Sequence, residues 1–238
     1  MNFFNKNYCI KKTIYLYYIM NFIFYDLETT GLINARIVEI AAYSKLNDTY
    51  YHSLVNPECI IPDEVIKIHN ITNEAVKDAK IVSEILVEFE NFCGEDAILV
   101  AHNNDNFDKL VLQSEYNRAN KEIPVWKYMD TLKISRTLLP DLGSHKLTLL
   151  KEYYNINLGV DHSALGDVKN MYAIYCKMVG NRTDQEIFDI STNFVLQKMP
   201  FGKHKGKLIK NLPKDYKKWL LMNACSFGRN EDLRVSLK

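Results

Sequence analysis

Two carboxylates, Asp26 and Glu28, close an apolar run that begins at Phe22, and Thr29, Thr30 and Gly31 follow them directly. On a strand, positions i and i+2 share a face, so both acids can converge on one hard cation at the strand's carboxyl end. The two hydroxyls would lie beside it, with Gly31 lending a permissive backbone. An Asp-x-Glu pair alone is usually a solvated surface feature, but two further clusters follow. Residues 97 to 112 form a second short apolar run that ends in His102-Asn-Asn-Asp-Asn-Phe107 and opens a helical pattern, with Asp108 at the helix start and Leu110 and Val111 expected inward. Residues 162 to 168 place His162 a few positions before Asp167, and Met171, Ile174, Tyr175 and Met178 then repeat at the spacing of an amphipathic helix.

In order and content these clusters resemble the three motifs of the DEDDh 3′-to-5′ exonucleases, the group that includes polymerase proofreading subunits, ribonuclease T and oligoribonuclease. The match spans residues 22 to 179, and all five signature positions are filled, by Asp26, Glu28, Asp108, His162 and Asp167. One spacing departs from the commonest form: three residues rather than two separate Asn103 from Phe107. The three-prime repair type resembles this longer form, so Asp108 is the assigned acid and Asp105 the second choice.

Four acids and a histidine suit phosphodiester hydrolysis, in which two divalent ions roughly 3.5 to 4 Å apart stabilise the attacking and leaving oxygens. Magnesium takes oxygen ligands and keeps waters, so carboxylates suffice without a cysteine or histidine cage. The resemblance implies two Mg2+ or Mn2+ ions, with Asp26 bridging both and Glu28, Asp108 and Asp167 completing the shells. It makes His162 the general base, a role that an ordinary histidine pKa of about 6.5 fits. Residues five apart on one helix diverge by about 140°. His162 is therefore expected on a loop before the helix, with Gly159, Asp161 and Ser163 as loop and cap residues.

By the same resemblance, the segment from Asn56-Pro57 to Ile68-His69-Asn70-Ile71-Thr72 packs beside the terminal nucleotide. His69 is a candidate contact to sugar or phosphate, or equally a cap on its own turn. Leu32 is a candidate wedge against the last base, with a plain core leucine as the alternative. Asn103 and Phe107 are expected to orient Asp108 and line the strand path, and Thr29, Thr30 and Gly31 to touch substrate.

The chain changes character near residue 181. Between residues 198 and 218, eight lysines face one aspartate, a net +7 that leaves −6 for the rest of a chain whose total is +1. Such asymmetry points to a polyanion partner, with a solvated lysine-rich face as the alternative. The glycines of Phe201-Gly-Lys-His-Lys-Gly-Lys207 have three residues between them rather than four and Leu208 replaces the hydroxyl of a phosphate loop, which excludes an ATPase reading. This run, with Leu212-Pro213, Tyr216 and Trp219, instead resembles the carboxyl-terminal segment of exodeoxyribonuclease X-like enzymes. Lys203, Lys205 and Lys207 are its candidate substrate contacts, and Trp219 is more readily a hydrophobic anchor than a base-stacking platform.

The expected architecture is α/β, a ribonuclease H-like mixed β-sheet flanked by helices, followed by a small basic module. The boundaries are an extension over 1–19, an exonuclease domain over 20–180, a helical connection over 181–197 and the module over 198–238. Within it, Ser83 to Gly94 and Asp130 to Leu139 read as helices and Val125 to Met129 as a strand. Cysteines at 9, 59, 93, 176 and 225 form no metal-ligand spacing, and their odd number suits a reducing, cytoplasmic setting. The apolar stretch after Lys12 lacks a cleavage site and is too short to span a bilayer, so no membrane role is expected. The function expected is DNA trimming from the 3′ end, in repair or processing. RNA trimming is the enzymatic alternative, and a non-catalytic nucleic-acid binder is the alternative of another class. Oligomeric state and strandedness are open.

Overall fold

The computed structural model describes residues 20–159, 162–225 and 230–237. The proposed extension over 1–19 and the loop residue Asp161 lie outside the described residues. A five-stranded sheet forms the centre: β1 (Asn21–Thr29), β2 (Ile37–Ser44), β3 (Thr49–Leu54), β4 (Ala97–Ala101) and β5 (Lys127–Asp130). Their order is β3-β2-β1-β4-β5, with β1 antiparallel to β2, β2 antiparallel to β3, and the β1–β4 and β4–β5 pairs parallel.

The helices are α1 (Asp63–His69), α2 (Asn73–Val76), α3 (Val82–Cys93), α4 (Asp108–Arg118), α5 (Thr131–Leu138), α6 (Leu147–Tyr154), α7 (Ala164–Val179), α8 (Asp184–Thr192), α9 (Lys214–Asn223) and α10 (Glu231–Ser236). They cover both faces of the sheet, which explains why β1 reads as a continuous apolar run rather than an alternating one. Ile23, Tyr25 and Leu27 point into a core shared with α3 and α4, where Phe89, Leu112, Tyr116 and Trp126 pack. Phe22 and Phe24 point the other way, against Val168, Met171, Tyr175 and Met178 of α7. Strand alternation therefore sends Asp26 and Glu28 toward the α7 face.

Local details differ from the sequence reading in instructive ways. The third helix starts at Val82, one residue before Ser83, because Glu84 reaches back to accept the Ile81 amide. Gly94, at φ 74°, closes it as expected. Asp130 caps α5 by accepting the Leu132 amide at 2.9 Å, so the preceding strand runs to Asp130 rather than ending at Met129. On α4, Val111 is buried but Leu110 is half exposed, because the helix turns only Val111, Leu112 and Tyr116 to the core. The segment read as a connection carries α8, whose Ile187 joins the α7-side core and whose Ser191 hydroxyl accepts the Asp130 amide. Beyond it, Leu196, Met199, Ile209, Leu212, Leu220, Cys225, Leu233 and Leu237 make a separate cluster.

A buried ionic knot fixes α4 against the start of β2. Glu115, with its side chain fully buried, accepts from Arg36 Nε and Arg118 at 3.0 Å each, and from the Ile37 amide at 3.3 Å. Replacing it removes the buried partner of two guanidinium groups, leaving Arg118 the Ala35 carbonyl and Arg36 the exposed Glu58, where charged hydrogen bonds contribute about 1.5–3 kcal/mol each. Both arginines keep some access to water, which limits the loss. Glu115→Ala should therefore destabilise the fold by about 2–4 kcal/mol, read as a lowered midpoint in thermal unfolding; an unchanged midpoint would show that the knot does not hold α4.

Candidate functional site

Asp26, Glu28 and Asp167 meet at the carboxyl end of β1, each offering a carboxylate oxygen within 4.8 Å of the others. Asp26 and Glu28 reach this point because they occupy alternate positions of the central strand. Asp167 arrives from the first turn of α7, which packs along β1 and β2. Asp108 approaches from the opposite layer: it is the first residue of α4, buried, and its carboxylate lies beside the Leu27 amide and close enough to Asp26 to perturb it. The fourth acid thus adjoins the trio from behind the strand end without joining its tight cluster.

The electrostatics suit a bound cation. Burial, then repulsion from Asp108, Asp167 and Glu28, pushes the Asp26 carboxyl well above the ordinary range. Glu28 is pushed up to about 8 by burial and by Asp167 and Glu39, and Asp108 to about 7, chiefly by burial. Acids so crowded repel one another unless a cation or protons intervene, and an all-oxygen donor set suits a hard divalent ion.

The turn after β1 is built from the residues expected beside the cation. The Thr29 hydroxyl donates to the Gly31 carbonyl at 2.7 Å, and the Thr30 hydroxyl accepts the Arg36 amide at 3.0 Å. Both hydroxyls therefore shape the turn. Gly31 sits at φ 148°, and Leu32 and Ile33 project from the turn at 84% and 85% exposure. Leu32 is not a core residue.

His162 occupies the turn before α7 with a left-handed φ of 58°, exposed and outside the carboxylate trio. Two contacts hold the preceding loop on the helix. Leu158 donates its amide to Asn170 Oδ1 at 2.8 Å, and Gly159 lies so near the Gly166 backbone that an added Cβ would fall 2.6 Å from its Cα. The other nearby histidines are engaged. His69 is buried, its Nδ1 accepting the Ile71 amide at 3.0 Å as a turn cap, and burial lowers its pKa. His102 is fixed between the Thr131 hydroxyl and the His145 carbonyl, and burial lowers it to about 4.

The loop before Asp108 absorbs its extra residue in a 3₁₀ turn over Asn104–Asn106, entered through Asn103 at φ 66°. Asn104 is fully buried; its Oδ1 accepts the Tyr25 hydroxyl at 2.6 Å and its amide donates to the Leu99 and Met129 carbonyls. Asp130 accepts the Asn103 amide at 2.8 Å. Asp105 instead pairs with Lys133 at 2.5 Å, which directs it away from the trio. Phe107 is half-buried against the α3–α4 core.

Sequence reasoning passed over Glu39 and Asn104. Glu39 faces Glu28 across the β1–β2 ladder, beside a register shift at Glu28/Thr29. It accepts His52 Nε2 at 2.6 Å and the Ala164 amide at 2.9 Å, placing a buried carboxylate at the N-terminus of the helix that carries Asp167. An acid inside a strand pattern was the available signal.

A groove of about 1200 Å³ runs from Asn103 past Arg136, His145 and Lys146 to Lys198 and Lys205. Lys203 and Lys207 are exposed on the same basic loop. Trp219 is half exposed, and Leu220 rather than Trp219 anchors the carboxyl-terminal cluster.

A family model described as "Exonuclease" matches residues 23–175. The chain belongs to that exonuclease family, in its DEDDh 3′-to-5′ branch. The exonuclease is 37% identical over 164 residues to a DNA polymerase III PolC-type protein of Caldanaerobacter subterraneus subsp. tengcongensis, covering 66% of this chain and 11% of the polymerase. The Staphylococcus haemolyticus counterpart is 34% identical over a stretch of the same length. The chain thus matches about a tenth of these relatives (11%). Among solved structures, Exonuclease X in complex with 5′ overhanging duplex DNA superposes with a TM-score of 0.55 at 22% identity, over 71% of this chain and 99% of that one. E. coli Exonuclease I in complex with a dA16 oligonucleotide gives 0.59 at 20% identity, over 71% and 42%. A second family model, "Putative quorum-sensing-regulated virulence factor", matches residues 189–229.

The raised carboxyl pKa values carry a sign for stability. Acids near 4 when unfolded and at about 7 and 8 when folded favour the cation-free fold at low pH, and that contribution is lost as pH rises through the folded values. In EDTA, the unfolding midpoint should fall between about pH 5 and pH 8. Added Mg2+ should raise it more at pH 8 than at pH 6, because the ion competes with protons. Equal Mg2+ shifts at both pH values would contradict a cation site at these acids.

Proposed function

We propose that this exonuclease removes nucleoside 5′-monophosphates from the 3′ end of DNA with two divalent cations, Mg2+ or Mn2+, in DNA repair or processing. The observation that carries the reading is the convergence of Asp26, Glu28 and Asp167 at the end of β1, with Asp108 adjoining from the other layer. The solved relatives bound to DNA support the choice of polymer.

Asp26, Glu28, Asp108 and Asp167 would hold the ions, which when bound stabilise charge on the attacking and leaving oxygens. His162 takes the proton of the attacking water at a ring nitrogen. It suits this role because it is the exposed histidine beside α7, whereas both ring nitrogens of His102 and the Nδ1 of the buried His69 are committed to backbone or side-chain partners. Leu32 and Ile33 present an apolar edge for the terminal base. Thr29, Thr30 and Gly31 shape that edge, and a contact from His69 to the nucleotide would have to use Nε2. Asn103 and Phe107 orient the Asp108 loop, and the basic groove guides the strand toward Lys203, Lys205 and Lys207.

The same reading divides the chain into an exonuclease domain over 20–180, a connection over 181–197 and a basic module over 198–238. The separate hydrophobic cluster and the second family match over 189–229 support the module. Among the described residues no helix is long and apolar enough to cross a membrane. The free thiols of Cys59, Cys93, Cys176 and Cys225 agree with a cytoplasmic setting.

A time course on matched 5′-labelled DNA and RNA strands with Mg2+ should give a DNA ladder shortening from the 3′ end, and Asp108→Asn should abolish it. Preferential RNA shortening would select the RNA reading, and cleavage by Asp108→Asn equal to wild type would remove the assigned metal site. His162→Ala should lower kcat by about 10²- to 10⁴-fold while leaving DNA affinity in EDTA unchanged. Undiminished kcat would exclude His162 as the base.

A further inference from the structure

The basic module carries an aromatic cleft that the hydrolytic site does not use. Tyr216 and Trp219, one helical turn apart on α9, stack with ring centroids 5.7 Å apart and planes 11° from parallel. With Gly202, Lys203, His204, Pro213 and Asp215 they line a concavity of about 600 Å³. Trp219 is 52% exposed, although a buried leucine is available beside it to anchor α9, so its indole is presented rather than buried. Lys203 Nζ lies 4.9 Å from the Tyr216 ring centroid, and the His204 ring meets the same tyrosine edge-on at 4.5 Å.

The floor of the cleft is built to this shape. Gly202 has φ +70°, a conformation that side chains strain, and a Cβ there would come 3.2 Å from the Tyr216 hydroxyl, so the ring would have to shift by a few tenths of an ångström. Residues 202–206 form the wall between two concavities. Lys203 and His204 face the aromatic cleft, while Lys205 and Gly206 line the groove that begins at Asn103.

We propose that the Tyr216–Trp219 cleft is a second nucleic-acid site that stacks a base of the single strand whose 3′ end occupies the carboxylate cluster. The assignment rests on the exonuclease reading for the polymer's identity. Flat aromatic surface beside lysines is the chemistry that binds single strands without sequence preference, rings stacking bases and ammonium groups meeting phosphates. A cationic ligand is disfavoured, because Lys203 already covers Tyr216 and the segment from 198 to 218 is net +7. Lys205 lines the basic groove and the cleft lies on the far side of the same loop, so one strand can touch both.

The test uses the full chain in EDTA, so that nothing is hydrolysed. Of the two tryptophans, Trp126 is buried and Trp219 exposed, so stacking is read as quenching of Trp219 emission when a long single-stranded thymidine oligonucleotide is titrated. Saturable quenching is expected. By anisotropy of the labelled oligonucleotide, Trp219→Ala should bind about 5- to 100-fold more weakly and Trp219→Phe should recover most of the loss. In a separate assay with Mg2+ restored, hydrolysis of a dinucleotide, which has no further base to stack in the cleft, should be unchanged in both variants. Absent quenching, wild-type affinity in Trp219→Ala, or competition by polyglutamate equal to that of the oligonucleotide would overturn the proposal. Loss of dinucleotide hydrolysis in the wild type itself would instead count against the exonuclease reading and leave the stacking measurement standing.

Discussion

Like charges gathered at the end of one buried strand govern this molecule. Asp167 lies close enough to Asp26 and Glu28 to oppose their ionisation, and Asp108 adds a further acid from behind. Such an arrangement persists only where the surrounding structure leaves the acids no room to separate. Here the supports come from every side. α7 is packed along β1 and β2, α4 is tied by Glu115 to Arg36 and Arg118, and the loop between β4 and α4 is stitched by Asn104 to Tyr25, Leu99 and Met129.

The two layers divide the work. Acids on alternate positions of β1 share the α7 face, and Asp167 meets them there without crossing the sheet. Asp108 belongs to the α3–α4 layer and arrives only because α4 begins where β1 ends. Glu39 joins the layers' logic from the neighbouring strand, capping α7 while facing Glu28. One more carboxylate near a crowded anionic site adds repulsion, but it also neutralises the positive end of the helix that presents Asp167.

Much of this was legible in the residues. The apolar runs ending in acids marked β1 and β4, the spacing of Met171, Ile174, Tyr175 and Met178 marked the buried face of α7, and the order of the motifs marked the family. What escaped was long-range. Nothing local says that Glu39 in β2 caps a helix that starts 125 residues later, or that Asn104 rather than its neighbours turns inward. Leu110 and Trp219 were misjudged for a related reason: in a short amphipathic helix the exposed and buried apolar positions differ by one step of rotation, and only the partner surface decides between them. Residue type alone allows His69 two roles, and the contact that favours the cap is a hydrogen bond from an amide two residues away.

Lys133 is nearly buried and shared by Asp105 at 2.5 Å, in the loop before Asp108, and by Asp232 at 2.7 Å, on α10. A single ammonium serving two carboxylates from distant parts of the chain makes the seat of the last helix and the shape of that loop one thermodynamic variable. Drawing α10 away leaves Asp105 to hold the cation alone, and stiffening α10 stiffens the loop. The last helix and the loop before Asp108 are thus joined through one side chain, along a path that bypasses the sheet.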